Sequence, residues 1–476
     1  MNRLIIVLIG LLALTGCNDL LDREPLGRLD AGSFFQTGDD AVSAINAAYE
    51  PLMFNNANNN FFWAMGVVTS DNAVAGGDGS RPGIVEMDFF TYTSRTQEFN
   101  DFWVLNYNGI TQCNTVLAEV PDIDMDPDLQ DRILGEAYFL RSFYYFWLTQ
   151  VFGDVPLILD VLPPDELKVP KTPRAEVLAQ IITDCDRAAG LLPDMYGDGS
   201  AGRATRGAAY GLAAKANLYL EDWEEVLNYI DRLESLGIYA LVPDYEDNFR
   251  KGTQNNSESV WEIQHTNLEL GLGNFLNQWW ASNKYGEGYG FAEVTQDLVD
   301  EFETGDPRRP VTLAQNNDPY FELIYKPSFS STRYSPRKFV QSDSVVTQKA
   351  DGDINYTAIR FSDVLLWKAE ALVELGRTSE ALVPLERVRA RARNMSDNPG
   401  SVLPPVTTTN ADQLMAAIRH ERRVELALEM HRFFDLVRWD LAAETLDGFQ
   451  TNKHEFFPIP QIELDLNGNL TQNQGY

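Results

Sequence analysis

The sequence predicts an all-α protein in which helix pairs support a long, irregular and loop-rich face. The first indication is helical spacing between 131 and 151, where apolar residues recur at steps of three and four: Ile133, Ala137, Leu140, Tyr144 and Leu148. The second is a pattern of two helices joined by a tight turn, which occurs twice. The third is that two long stretches, 54–103 and 243–356, are rich in loop-forming residues.

Three segments are predicted to be helices from their spacing and their boundaries. The first covers 41–53. The second covers 131–151 and stops at Phe152-Gly-Asp-Val-Pro156, because Gly and Pro end helices. The third begins at Pro173 and runs to Leu192, where another proline follows.

The repeated pattern is a helix with small residues, a tight turn, and a Glu before a second helix. One copy covers 216–227 and the other covers 371–382. Helix pairs of this kind are typical of tetratricopeptide repeats, in which alanines allow close packing. The repeat period of about 34 residues is not sustained. We therefore predict helix pairs separated by inserts, not an uninterrupted solenoid.

Composition and charge narrow the function classes. The chain has 38 basic and 70 acidic residues and a net charge of −32. Such a surface repels nucleic acid, so DNA and RNA are excluded as partners. Beyond Cys17, Cys113 and Cys185 are the remaining cysteines. The sequence leaves open whether they form a disulfide or are two buried thiols.

The N-terminus predicts a lipid-anchored protein outside the cytoplasm. Arg3 precedes an apolar run, 4–14, that is too short to span a bilayer. Leu14-Thr-Gly-Cys17 then looks like a bacterial lipobox, in which Cys17 is acylated. We accordingly divide the chain into a signal peptide at 1–16, the acylated Cys17 with a tether to residue 30, and a single domain at 31–476. Within this domain an N-terminal part runs to about 265 and a C-terminal part follows from about 266.

Catalytic and metal-binding patterns are scarce. The four histidines show no HExxH spacing, and no GxSxG motif occurs. Gly197–Gly202 matches GxGxxG by letter but follows a helix end, so we interpret it as a loop. The acidic run Asp122–Asp128 begins like an EF-hand, yet Pro127 stands where Gly is needed, so a solvated turn is favoured over calcium. Paired carboxylates for glycoside hydrolysis stay open at this point, because the sequence offers many acidic residues and no distances between them. We expect no metal or other cofactor.

Two loops combine amide side chains with aromatic rings, which suits a sugar ligand. Amides offer donors and acceptors to neighbouring hydroxyls, and a flat ring covers the C–H face of a pyranose. One loop begins at Phe54 and the other at Asn274. The predicted glycan-binding residues are Trp63, Trp279, Trp280, Asn59, Asn60, Asp71, Asn72, Gln278, Asn283 and Tyr285.

An alternative is that Trp279 or Trp280 fills the core, although two adjacent tryptophans in an amide-rich loop are not expected both to point inward. Arg81 and Lys284 are the nearest basic groups to these loops. Because the loops carry few cations and the chain is acidic, a neutral glycan is favoured over a sulfated or uronic-acid chain.

The C-terminal charges are predicted to be part of the scaffold. They stand at helical steps of three and four and are expected to cross-link two helices through partly buried pairs. The residues concerned are Glu421, Arg422, Arg423, Glu425, Arg432, Asp435 and Arg438.

Several segments resemble the SusD/RagB family, in the family's order and over the chain from Cys17 onward. They are Arg141–Tyr145, Phe152–Leu157, Arg360–Ala371, Arg419–Leu426, Arg432–Trp439, Phe457–Pro460 and Leu470–Tyr476. Met430 stands where the family usually has Gly, and Gln474 stands where Pro is common, which puts the local turns in question.

The resemblance implies an α-helical fold and an outer-membrane, cell-surface lipoprotein that binds glycans for nutrient uptake. It also implies a SusC-like TonB-dependent transporter as partner, on which the protein works as a lid without hydrolysing its cargo. A β-glucan such as laminarin is the expected type of neutral glycan. The alternatives are a surface glycoside hydrolase and a tetratricopeptide scaffold that binds only protein.

Overall fold

Long helices alternate with irregular inserts along the chain. A computed structural model describes residues 34–55, 58, 60–197, 199–269, 273–284, 288–342, 344–346, 348 and 351–476. The helices are α1 (Gly38–Tyr49), α2 (Pro82–Asp88), α3 (Gln97–Glu119), α4 (Pro127–Phe152), α5 (Arg174–Leu191), α6 (Arg206–Leu220), α7 (Trp223–Ser235), α8 (Leu276–Trp280), α9 (Gln296–Glu301), α10 (Arg309–Thr312), α11 (Phe361–Glu374), α12 (Thr378–Asn394), α13 (Ala411–Glu425), α14 (Arg432–Arg438), α15 (Ala442–Thr445) and α16 (Gln461–Leu466).

The strands are short and pair two by two within the described residues. They are β1 (Ala73–Gly76), β2 (Ser259–Ile263), β3 (Phe291–Val294), β4 (Leu313–Ala314), β5 (Pro319–Tyr320), β6 (Leu323–Ile324), β7 (Ser335–Pro336) and β8 (Tyr356–Arg360). The antiparallel pairs are β1–β3, β2–β8, β4–β7 and β5–β6. Most of these strands lie in the two predicted inserts, and the predicted all-α class is confirmed.

Both copies of the repeat form helix pairs. In the first pair, α6 ends at Glu221, whose left-handed backbone (φ 58°) reverses the chain before α7. In the second pair, Gly376 (φ 74°) serves the same purpose between α11 and α12. Since α7 also packs against α11, the two pairs stack side by side. The predicted tetratricopeptide-like pairs are therefore confirmed.

The predicted helix boundaries are close to those observed. The segment 131–151 falls inside α4, where the side chain of Asp126 caps the N-terminus by accepting from the Leu129 N–H at 2.9 Å. Asp126 belongs to the acidic run Asp122–Asp128, which the sequence predicted to be a solvated turn. Gly153 ends α4 with φ 72°. The segment predicted over 41–53 is shorter as an α-helix, because Pro51 turns its last part into a 3-10 turn.

Buried ion pairs join α13 to the rest of the scaffold. Arg360 donates to Glu258 and Glu425 at 2.6 Å each and to Glu429 at 2.9 Å, and every one of these side chains is buried. Burial alone would raise the pKa of Glu425, but its arginine partners hold that pKa well below the ordinary value. The cluster contains Glu258, Arg308, Lys338, Arg360, Arg391, Glu421, Glu425 and Glu429.

The predicted cross-link between C-terminal helices is present. Arg422 on α13 donates to Asp435 on α14 at 2.7 Å, and Arg438 donates to the other oxygen of the same carboxylate at 2.9 Å. The scaffold role of these charges is confirmed, although the pairs are more deeply buried than predicted. An arginine that loses its hydration needs carboxylate acceptors, and here they come from a neighbouring helix.

Cys113 and Cys185 are free and buried, which decides between the two alternatives in favour of buried thiols. Burial raises the pKa of both thiols. None of the helices among the described residues is long and apolar enough to cross a membrane. Cys17, the predicted anchor, lies outside the described residues.

Candidate functional site

The two aromatic loops meet in space. The Phe275 N–H donates to the Phe54 carbonyl at 2.6 Å, which ties the start of the second loop to the start of the first. The Phe54 N–H in turn donates to Nε2 of His265 at 3.1 Å. Burial lowers the pKa of His265 to about 4, so its ring is neutral and Nε2 can accept. The buried histidine thus holds the start of the first loop, and the Phe54 carbonyl holds the start of the second.

Most of the predicted tryptophans lie under this junction, not on it. Trp63 is 0% exposed and Trp280 is 1% exposed, and their ring centroids are 6.1 Å apart in an edge-to-face contact. Trp279 is 6% exposed and packs 5.8 Å from Trp63. Both adjacent tryptophans therefore point inward, contrary to our expectation. The prediction that Trp63 and Trp280 face a ligand is corrected, because a fully buried ring has no free face.

The amides and acids of the first loop hold the chain in place. Asn60 is buried and donates to the Leu52 carbonyl at 3.3 Å. Asp71 receives two hydrogen bonds from Arg432, at 2.8 and 2.7 Å, and Asn72 accepts from Arg423 at 3.1 Å. These contacts attach the loop to the C-terminal helices. These three side chains therefore have a structural role, and their predicted sugar-binding role stays a prediction.

The remaining predicted residues are divided between interior and surface. Gln278 is buried, and its main-chain carbonyl accepts from the Tyr289 N–H at 2.8 Å. Asn283 is exposed, so its amide is available to a ligand. Asn59 and Tyr285 lie outside the described residues. Their predicted roles stay predictions.

Arg81 completes the surface above the buried tryptophans. Its guanidinium carbon lies 5.4 Å from the ring centroid of Trp279 and 5.4 Å from that of Phe61. Tyr289 packs against the same tryptophan, with centroids 5.3 Å apart. Both Arg81 and Tyr289 are partly exposed. We call Arg81, Trp279, Asn283 and Tyr289 the aromatic rim.

Short strands and close backbone approaches position the aromatic rim. The β1–β3 ribbon pairs Gly76 with Phe291 and so places the residues before Arg81 beside those after Tyr289. Gly76 has φ 58°, and a Cβ there would lie 2.6 Å from the Gly290 carbonyl oxygen. A glycine is therefore required for the ribbon to close.

The electrostatics below the rim include one buried carboxyl. Glu98 is 4% exposed, and a Cβ at Gly83 would lie 2.0 Å from its Oε2, so α2 packs directly on it. Burial raises the pKa of Glu98, and the nearby Arg81 opposes part of that increase. Among the described residues no cluster of three or more His, Cys, Asp or Glu side chains is arranged to hold a metal ion.

The sequence located the two loops but did not single out Arg81 and Tyr289 as the partly exposed residues that contact Trp279. In the sequence, Arg81 is one of the cationic residues nearest to the loops, and Tyr289 follows the second loop. No local pattern shows that the guanidinium reaches a ring on the other loop. The surface here offers a phenol, a guanidinium and an amide, which suits a ligand with many hydroxyls.

The fold and this surface define a class of protein: a scaffold of tetratricopeptide-like helix pairs that carries a recognition face built from loops. Residues 325–456 match the SusD family, and residues 39–220 match the family described as starch-binding and associating with the outer membrane. A SusD-like protein of Formosa agariphila is 28% identical over 98% of both chains.

Solved structures agree with this class. A laminarin-binding SusD-like protein is 30% identical, with a TM-score of 0.81 over 93% of this chain and 100% of that one. A SusD-like carbohydrate-binding protein of Bacteroides fragilis is 25% identical, with a TM-score of 0.82 over 92% of this chain and 100% of that one. The chain belongs to the SusD/RagB family.

Proposed function

We propose that the protein captures a neutral glycan at the cell surface and passes it, without hydrolysis, to a SusC-like TonB-dependent transporter in the outer membrane. Acylated Cys17 is its anchor in this proposal. The observation that carries the proposal is the aromatic rim, where Arg81 and Tyr289 stay partly exposed around Trp279.

The chemistry of the rim favours a sugar. The phenol ring of Tyr289 can cover the apolar face of a pyranose, and its hydroxyl remains in water. The guanidinium of Arg81 is held by rings and not by a carboxylate among the described residues, so its N–H groups are free to donate to sugar oxygens. The exposed amide of Asn283 adds both a donor and an acceptor.

The expected glycan is a β-glucan such as laminarin. Two arguments support it: the net charge of −32, which disfavours anionic chains, and the similarity to a protein described as laminarin-binding. Delivery to a transporter and the lid role are inferred from family membership.

Affinity electrophoresis of the lipid-free protein against laminarin, starch, alginate and a sulfated polysaccharide tests the ligand. We expect laminarin to retard the protein, and the double variant Arg81→Ala/Tyr289→Ala to lose at least tenfold in affinity. Matched controls are Arg95→Ala, an exposed arginine, and Tyr210→Ala on α6, which should bind as the natural chain does. Retention by alginate alone would contradict the neutral class, and release of reducing sugar would overturn the non-catalytic role.

The anchor and the partner have their own tests. Labelling of cells with a radioactive fatty acid should mark the natural chain and not the Cys17→Ser variant. Purification of the tagged natural chain from outer membranes in mild detergent should bring a TonB-dependent barrel with it. A protein that binds glycan but brings no barrel would leave capture standing and overturn the lid role.

A further inference from the structure

A second pocket lies on the helical scaffold, apart from the aromatic rim. It has a volume of about 430 Å³ and is formed where the ends of α6 and α11 meet the start of α7, with α13 and α14 closing the other side. Pockets of roughly 300–1,000 Å³ are the size of small-molecule sites. The side chains that matter here are Arg174, Trp223, Glu374, Arg419 and Trp439.

One wall of the pocket is a fixed tryptophan with a buried, unsatisfied donor beside it. Trp439 donates from Nε1 to Glu370 at 2.8 Å, which sets its ring orientation. Arg438 lies 4.6 Å and Arg419 lies 5.1 Å from the centroid of that ring. Arg438 is also paired with Glu370, whereas Nε of Arg419 is buried and has no hydrogen-bond partner. An unsatisfied buried donor is destabilising unless a ligand or water accepts from it.

The second wall holds another arginine without a carboxylate partner. Arg174 lies over Tyr219 at 5.2 Å and over Phe456 at 5.6 Å, and its Nε donates to the Thr149 carbonyl at 3.3 Å. Within the described part of the chain, neither this arginine nor Arg419 forms an ion pair, although acidic residues outnumber basic ones. Stacking on rings has replaced charge neutralisation at both positions.

The ring of Trp223 has no stacking partner among the described residues. Trp223 is the first residue of α7, is partly exposed, and carries no guanidinium over its ring in the described part of the chain. Trp439, in contrast, already has two cations over it. Trp223 is therefore the ring in this pocket that can take the apolar face of a ligand.

The mixture of charges selects the ligand class. A simple anion would meet Glu374, Asp440 and Glu455 around the pocket, and a simple cation would meet Arg174 and Arg419. A sugar hydroxyl accepts from a guanidinium and donates to a carboxylate at once, so a neutral polyol satisfies both signs. The rings at the pocket then exclude water from its C–H face.

We propose that this pocket is a second carbohydrate site, in which Trp223 stacks on a neutral sugar ring, Arg419 donates to one of its oxygens and Glu374 accepts from a neighbouring hydroxyl. The site goes beyond the proposed function, because it lies on the helix pairs and not on the loops. Two sites on one chain would hold a long polysaccharide more tightly than either site alone.

Calorimetric titration of the folded protein with laminarihexaose, cellohexaose and maltohexaose tests the second site. We expect two equivalents of one of these probes to bind the natural chain. Trp223→Ala/Arg419→Met should lose one equivalent, or weaken it at least tenfold, and Arg81→Ala/Tyr289→Ala should lose the other. Glu374→Arg, at an exposed position, blocks the pocket without removing a core contact, so it repeats the test if the first variant does not fold.

Each outcome separates the two sites. A single equivalent that is lost in Arg81→Ala/Tyr289→Ala and unchanged in both pocket variants overturns the second site and leaves the proposed function standing. A single equivalent that is lost only in the pocket variants supports the second site and overturns the aromatic rim. Absence of heat with all three probes overturns both sites.

Discussion

The helical scaffold and the loop-built face treat their arginines differently, because the first encloses a cluster of charges and the second leaves a cation near the surface beside buried rings. In the scaffold, Arg360 and its three carboxylates lie in the interior. In the loop-built face, Trp63 and Trp280 are interior and Arg81 is left at the surface. The comparison teaches that an arginine can be buried where carboxylates accept its hydrogen bonds, as Arg360 is, and that Arg81, which contacts rings instead, keeps part of its surface in water.

The two regions also depend on each other. Arg423 on α13 and Arg432 on α14 form salt bridges with Asp71 of the first loop. His265 holds Phe54 of the same loop. The recognition face thus takes its geometry from the scaffold, although its own sequence contains little regular structure.

The largest expected effect comes from breaking the scaffold's ion cluster. Arg360→Ala removes one cationic partner from each of three buried carboxylates, and breaking one buried pair typically costs about 3–5 kcal/mol. We expect no cooperative unfolding transition in urea followed by circular dichroism. Arg377→Ala, which removes an exposed pair with Glu380, should leave the midpoint unchanged. Equal midpoints for the two variants would contradict a stabilising role for the cluster.

Next in size is the contrast between buried and rim aromatics. Trp280→Ala opens a cavity in the core and should lower the free energy of unfolding by about 3–5 kcal/mol. Tyr289→Ala, at a partly exposed position, should shift the urea midpoint far less and weaken glycan binding instead. If Trp280→Ala were as stable as the natural chain and lost binding, the assignment of core and rim would be reversed.

A smaller effect is expected from pH. The pKa of folded His265 is lowered to about 4, whereas an unfolded histidine titrates near about 6.5. The unfolded state therefore binds the proton first, and the free energy of unfolding should fall as the pH drops from about 6.5 to 4, by about 3 kcal/mol from this group. His265→Gln keeps an acceptor without titrating and should flatten this part of the profile.

His420 supplies the contrast for that measurement. Burial alone would lower its pKa, but the hydrogen bond to Glu301 prevails and the pKa of His420 is raised. Its stabilising contribution is present at low pH and is lost as the pH rises through the raised value. His420→Gln should therefore change the profile in the opposite direction. An identical profile for His265→Gln and the natural chain would exclude His265 as the source.

The smallest effect is expected at the thiols. Cys113 and Cys185 are free and buried, and burial raises the pKa of both thiols. Iodoacetamide should therefore not modify them in the native protein, as measured by mass spectrometry. A reducing agent should leave the melting temperature unchanged. A loss of stability under reduction would indicate a disulfide and contradict this arrangement.

The sequence predicted the scaffold better than the site. The segments 131–151 and 173–192 correspond to α4 and α5 within a few residues, because helical spacing and Pro or Gly boundaries are local properties. The aromatic loops were also located, and they do meet. Which ring faces outward was not predictable, because Trp63 is covered by Phe291 and Trp280 by Phe339 from distant segments.

The sequence by itself determined the helix pairs, the scaffold role of the C-terminal charges and the family. Each of these rests on a period or a motif that neighbouring residues specify. Only the tertiary structure decided that Asp71 accepts from Arg432, that the guanidinium of Arg81 contacts the ring of Trp279, and that a pocket opens beside Trp223. The physical reason is that burial and stacking in irregular loops depend on contacts between residues far apart in the chain, and no local pattern encodes them.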